Sequence, residues 1–156
     1  MNCIKIRSKY LDEIEIESDQ VIVFPEGLPA FEDERQFVII PFAEDSPFFY
    51  LQSLRNARLC FILADIFTFF PDYQVEIDNH ELQRLKIEEG GHGSLNIFAL
   101  LTIPKIFSET TANLLAPLVI NFEKQVGIQY IPHVSHYHTK HPLFEETAVS
   151  PARGVK

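Results

Sequence analysis

The chain has 156 residues and a mass of 18.0 kDa, 46% hydrophobic and 22% charged, which suits one buried core and excludes a disordered polymer. Its formal net charge is −9 at pH 7, and all of the excess lies in residues 1–78, which carry 15 carboxylates against 6 cations. Neutralising a polyanion takes clustered cations, so direct nucleic-acid binding is not expected and a basic protein is the natural partner.

The opening MNCIKIRSKY alternates apolar and charged residues instead of placing an apolar run before a small-residue cleavage site, so no export signal is expected. The most apolar stretch, residues 59–70, is interrupted by Asp65 and Thr68 and is too short to span a bilayer. A cytoplasmic protein without a membrane partner is the expectation. Cys3 and Cys60 both fall in apolar patterns and read as buried thiols rather than as a disulfide framework.

In chain order, strands are predicted at residues 3–8, 13–17, 20–24, 37–41, 48–53, 57–64, 73–77, 94–103, 118–122 and 126–131. Each is short, rich in Val, Ile, Phe and Tyr, and bounded by turn formers. One short helix is predicted near residues 79–86, where Asp78 can cap and Glu81, three residues on, completes a capping box. The fold class is therefore all-β and mainly antiparallel, a small closed or partly closed barrel-like domain over residues 1–144. Residues 88–94 read as a turn-rich connector, and 145–156, which lack an apolar pattern, as a flexible C-terminal tail.

Three stretches carry candidate function. In DEIEIES the period of a strand sends Glu13, Glu15 and Glu17 to one side and Ile14 and Ile16 to the other. That ladder is either a solvated outer face that blocks edge pairing or an acidic docking face. In FPEGLPAFEDE, residues 24–34, Pro25 presets a turn, Gly27 frees its end, and Phe24 and Leu28 are held extended by the prolines that follow them. The loop is expected to be stiff before it binds anything, anchored by Phe24 and Phe31, with Glu26, Glu32, Asp33 and Glu34 outward. In PHVSHYHTKH, residues 132–141, His136 and His138 share a face of an extended chain and offer the alternative of a metal-binding protein or small metalloenzyme.

Catalytic signatures are missing from the sequence: there is no G-x-S-x-G elbow, no H-E-x-x-H and no P-loop. Gly90, Gly91 and Gly93 follow two glutamates and read as a plain loop. The carboxylate runs read as solvated, whereas acid–base catalysis needs one carboxyl desolvated beside another. In TANLLAPLVINF, residues 111–122, Asn113 is expected to bond its own backbone and Pro117 to mark a strand edge or start. Leu114 and Leu115 are core residues or a surface for a helical partner.

The segments FPEGLPAFE (24–32), PFFYLQS (47–53), FFPDYQVEI (69–77) and TANLLAPLVIN (111–121) resemble, in order and spacing, the bacterial flagellar assembly factor FliW family, across about residues 3–144. Ala30 stands where that family commonly has glycine. The resemblance implies a non-enzymatic regulator without cofactor that binds flagellin and antagonises CsrA, a small RNA-binding repressor of flagellin translation. Glu13, Glu15, Glu17, Glu32, Asp33 and Glu34 are candidates for the contact with that basic partner, chosen from charge and exposure.

Overall fold

A computed structural model describes residues 3–87 and 95–144; the expected tail at 145–156 and the connector at 88–94 lie outside the described residues. Strands β1 (Cys3–Ser8) and β2 (Asp12–Glu17) form a hairpin of their own. Seven more strands follow: β3 (Val21–Val23), β4 (Gln36–Pro41), β5 (Phe48–Ser53), β6 (Cys60–Asp65), β7 (Leu95–Thr102), β8 (Thr111–Asn121) and β9 (Val126–Gln129). They pair in the order β8-β7-β6-β5-β4-β3-β9, and β9 pairs with β8 again, so the sheet closes into a barrel. A two-residue strand, β10 (His141–Pro142), lies outside on β8. Two short α-helices, α1 (Ile66–Phe69) and α2 (Asn79–Arg84), and two single-turn 3-10 helices, Ser18–Gln20 and Phe107–Glu109, complete the description.

The alternation within β4 explains how the layers are built. Phe37 and Val38 are both fully buried, yet adjacent strand residues point to opposite faces. Phe37 enters the barrel interior with Ile22, Phe24, Leu51, Leu63, Phe98, Leu118 and Ile120. Val38 packs outward beneath the hairpin, against Ile6, Ile16 and Val21. The β1–β2 hairpin is therefore a flap whose isoleucine face covers the outer wall of the barrel. Gln52, also fully buried, ties the flap down: its Oε1 accepts from Lys9 N at 3.0 Å, while its Nε2 lies 3.0 to 3.3 Å from the carbonyls of Ser53, Asn56, Ala57 and Leu59.

The barrel is closed on one side by a single parallel bridge, Val23 against Val126. Gln125, at φ +56, supports this seam twice. Its carbonyl accepts from Val23 N at 3.0 Å, and its side-chain Nε2 donates to the carbonyls of Val21 at 2.8 Å and Ser18 at 3.1 Å.

Strand β8 runs through Pro117 because its backbone is satisfied from elsewhere. Its register with β7 jumps from Leu118↔Phe98 to Asn113↔Leu100, leaving residues 114–117 bulged. Leu114 N and Leu115 N donate to the His138 carbonyl at 3.0 and 3.1 Å, and Asn113 Oδ1 accepts from Leu115 N and Ala116 N at 3.1 and 3.0 Å. Proline at the next position has no N–H to place. The carbonyls of Leu114, Ala116 and Pro117 accept from Tyr73 OH, Gln129 Nε2 and Tyr130 N at 2.9, 3.0 and 2.9 Å. A buried backbone must be paired in this way, and these bonds come from Asn113 itself, from Tyr73 and His138 distant in sequence, and from Gln129 and Tyr130 at the end of β9.

Several expectations are corrected. Residues 73–77 form no strand: Gln74 N donates to Tyr137 OH at 3.0 Å and the Glu76 carbonyl accepts from Tyr130 OH at 2.9 Å, so tyrosine hydroxyls stand where a ladder would be. Strand β8 begins at Thr111 rather than 118, β10 and α1 were not anticipated, and Cys3 is exposed rather than buried. Asp78 does cap α2, its Oδ1 accepting from Glu81 N at 2.9 Å, but Glu81 turns to Arg84 instead of closing the box.

Replacing Gln125 by alanine removes two donors from the seam and leaves the Val21 carbonyl unpaired. At ~1 kcal/mol for each net hydrogen bond, a loss of about 1–2 kcal/mol is expected in urea unfolding monitored by tyrosine fluorescence. An unchanged midpoint would show that the seam does not depend on this side chain.

Candidate partner-binding surface

The loop of residues 24–34 is a run of three turns, the last closed by Glu34 N donating to the Phe31 carbonyl at 3.0 Å. In the first, Gly27 N donates to the Phe24 carbonyl at 2.8 Å across Pro25 and Glu26. Gly27 has φ +67, and a Cβ there would lie 2.5 Å from the Glu32 carbonyl oxygen, so both the dihedral and the space demand glycine. In the second, Phe31 N donates to the Leu28 carbonyl at 2.7 Å across Pro29 and Ala30. Ala30 sits at φ +73, the third position of a type II turn, where glycine is the favoured residue.

Phe24 anchors the loop as expected, 0% exposed in the barrel interior and edge-on to Phe37 at 5.4 Å. The second anchor is Leu28, at 2% exposure, and not Phe31, which is 38% exposed and rests against Phe61 at 5.8 Å. A proline-flanked leucine points inward because the preceding turn reverses the chain, which the aromatic preference of cores does not reveal.

The candidate carboxylates fall into two groups. Glu13 and Glu15 stand directly across the hairpin from Arg7 and Lys5, and Glu17 across from Cys3. Opposite charges facing each other across strands attract, although neither pair closes to salt-bridge distance among the described residues. Glu17 is also engaged through its backbone, whose N–H donates to Gln20 Oε1 at 2.8 Å. In the loop, Glu32 Oε2 accepts from Ala30 N at 3.2 Å and Glu34 Oε1 accepts from Ser53 Oγ at 3.2 Å, while Asp33 is exposed. Glu26 pairs with Arg84 of α2, which also donates to Glu81 at 3.1 Å. A cleft of 240 Å³ lies between this ion-paired knot and β9.

The hairpin glutamates thus flank the wall of the barrel, and the loop carboxylates cover one of its ends. Sequence reading also missed a run of aromatic rings outside the interior: Tyr10 on Tyr50 at 5.6 Å, Tyr50 on Phe42 at 4.3 Å, Phe42 near Phe48 at 5.8 Å, then Phe69, Phe144 and Phe107 in succession. Tyr10, Phe42 and Phe107 are exposed. The signal in the sequence was consecutive aromatics in PFFYLQS, where a period of two must place every other ring outside.

The histidine segment does not gather ligands. His141 Nε2 accepts from His138 N at 2.7 Å, which occupies the lone pair a metal would take, and among the described residues no three His, Cys, Asp or Glu side chains stand together as a metal group. His136 lies tilted against Tyr137 at 4.2 Å, and His138 stacks on His141 at 5.0 Å. Burial, followed by the neighbouring His138 and His136, lowers the pKa of His141 below its ordinary value. Burial raises the Cys60 thiol to about 11, so it is protonated and a poor nucleophile at neutral pH. Among the described residues no helix is long and apolar enough to cross a membrane.

The family model described as FliW protein matches residues 5–143. The chain belongs to the FliW family. It is 45% identical to a flagellar assembly factor FliW of Syntrophomonas wolfei over 151 residues, 97% of this chain and 96% of the relative. The FliW of Bacillus subtilis is 38% identical over 142 residues, 91% of this chain and 98% of the relative. A solved crystal structure of the flagellar assembly factor FliW superposes with a TM-score of 0.85 at 39% identity, covering 92% of this chain and 99% of that one. The barrel is thus the family fold, and Ala30 occupies a turn position that glycine would suit.

Two outcomes follow for stability. Ala30→Gly relieves a left-handed alanine that costs ~1 kcal/mol, so a rise in the urea midpoint is expected; a fall would mean that the loop is not held in this turn. For His141 the unfolded chain binds its proton at a higher pH than the folded one. Stability therefore falls as pH drops below the ordinary value of 6.5 and levels off below the folded value. Unfolding at a series of pH values should show this slope, and His141→Gln should flatten it.

Proposed function

We propose that the chain is a flagellar assembly factor that works without catalysis, by binding flagellin and by sequestering the repressor CsrA, so that flagellin synthesis follows the supply of flagellin. Family membership across residues 5–143 is the observation that carries this reading. The chemistry is compatible with it. A net charge of −9 favours rapid encounter with a basic protein, and complementary charge acts mainly on association rate and specificity.

The preformed turns of residues 24–34 lower the entropy lost when a partner docks. Asp33 is the carboxylate of this loop whose side chain has no role in holding the turns, which makes it the clearest contact candidate, followed by Glu32 and Glu34. Glu13, Glu15 and Glu17 keep a smaller share, because Arg7 and Lys5 face two of them. For a helical partner such as a flagellin terminus, Leu114 is too buried at 2% exposure. The run from Tyr10 to Phe107 offers the apolar surface instead, in the manner of a helix laid against a hydrophobic face.

Isothermal titration of purified CsrA into the chain tests the proposal at about 0.1 M and about 1 M salt, where the screening length falls from ~10 to ~3 Å. A complex at low salt that weakens at least about tenfold at high salt is expected, and Asp33→Asn should weaken it more than Glu13→Gln. Undetectable heat and no co-elution at low salt would eliminate the CsrA part of the reading.

A further inference from the structure

At one end of the barrel the β4–β5 turn, the last residue of β6, the start of β7 and the end of β8 surround an open cavity of 460 Å³. Its floor is aromatic. Phe49 meets Phe98 at 5.2 Å between centroids and 74° between planes, and Phe98 meets Phe122 at 6.3 Å and 88°. Phe98 is buried, Phe49 is half-buried and Phe122 is 42% exposed, so ring surface from two of the three remains open to a ligand. The rim carries Asp45, Asp65 and Asn96, and among the described residues no lysine or arginine lines the cavity.

Asp65 is fixed in place, its Oδ2 accepting from Thr68 Oγ1 at 2.6 Å, which leaves its other oxygen available. The ion pairs among the described residues both belong to Arg84, so neither Asp45 nor Asp65 has a described cation beside it. These features select the occupant. An anion would be repelled by the two carboxylates, and a purely apolar group would strip water from them without return. A guanidinium satisfies both halves of the site: it is planar, weakly hydrated, stacks on aromatic faces and forks its N–H donors onto carboxylate oxygens. Its aliphatic stem would lie along the rings.

We propose that this barrel mouth is a receptor for an arginine side chain presented by a basic protein partner. The inference rests on the reading of the chain as a binder of such a protein, yet its chemistry can be tested without that protein. The mouth is separate from the loop of residues 24–34 and supplies an anchor of the kind that dominates protein interfaces, an arginine buried against aromatics.

The test is a titration of the capped tripeptide acetyl-Ala-Arg-Ala-amide into the ¹⁵N-labelled chain, followed by amide chemical shifts. Saturable shifts are expected at Asp45, Thr68 and Asn96, with half-saturation in the millimolar range that corresponds to about −4 kcal/mol. The citrulline peptide, of similar shape but uncharged, should give none. Asp45→Asn with Asp65→Asn should weaken binding about fivefold or more, and Phe122→Ala, which keeps both charges, should weaken it too. Absence of saturable shifts at the mouth, equal shifts with citrulline, or full binding by a folded double variant would overturn the proposal. A chain that binds the arginine peptide but not CsrA would leave this site standing and remove the CsrA reading alone.

Discussion

Closure of the sheet through one parallel bridge, Val23 against Val126, is the constraint on which the rest of the molecule depends. Strand β3 is only three residues long and leads directly into the loop that begins at Phe24. Where the seam holds β3, it also sets the point from which Phe24 and Leu28 enter the barrel. Gly127, one residue beyond the bridge, shows how tight this junction is: a Cβ there would lie 2.6 Å from Ile120 Cδ1 and 3.0 Å from Phe24 Cζ. Closure also removes the exposed edges that make open sheets prone to pair with other chains, which leaves recognition to loops, to the barrel's ends and to its outer wall.

The charge of the molecule acquires meaning only in this frame. A sum of −9 suggests a uniformly acidic surface, but the register of the hairpin sets Glu13 and Glu15 against Arg7 and Lys5, and Arg84 draws Glu26 and Glu81 together. Asp33 on the loop, and Asp45 and Asp65 at the mouth of the barrel, have no ion-pair partner among the described residues. Surface ion pairs add little stability.

The fold class was legible because alternation with a period of two is a strong signal where one face is buried; β1 and β5 coincide with their predicted bounds. Segment 73–77 misled for the same reason. Val75 and Ile77 do pack inward, against Val119 and Tyr130 among others, yet its backbone is served by the hydroxyls of Tyr130 and Tyr137, distant in sequence. Pro117 argued for a break in β8, and nothing local reveals that the His138 carbonyl fills the bulge. The loop was legible in its first turn, at Pro25 and Gly27, and not in its second turn or its electrostatics. The facing of Glu15 and Lys5 across the hairpin and the pairing of Glu26 with Arg84 are products of register and tertiary contact, which a list of charges does not contain. The mouth was invisible, since Asp45, Asp65 and Phe122 come together only when the barrel closes.

A preformed surface held by a closed barrel is the central claim, and amide hydrogen exchange of the free chain tests it most directly. In the structure Gly27, Phe31 and Glu34 donate within the loop, to the carbonyls of Phe24, Leu28 and Phe31. The account predicts that these three amides are protected in the absence of any partner, approaching the protection of β4 and β5. Exchange at the rate of an unstructured peptide, with protection appearing only when a partner is added, would show that binding builds the loop and would contradict the account.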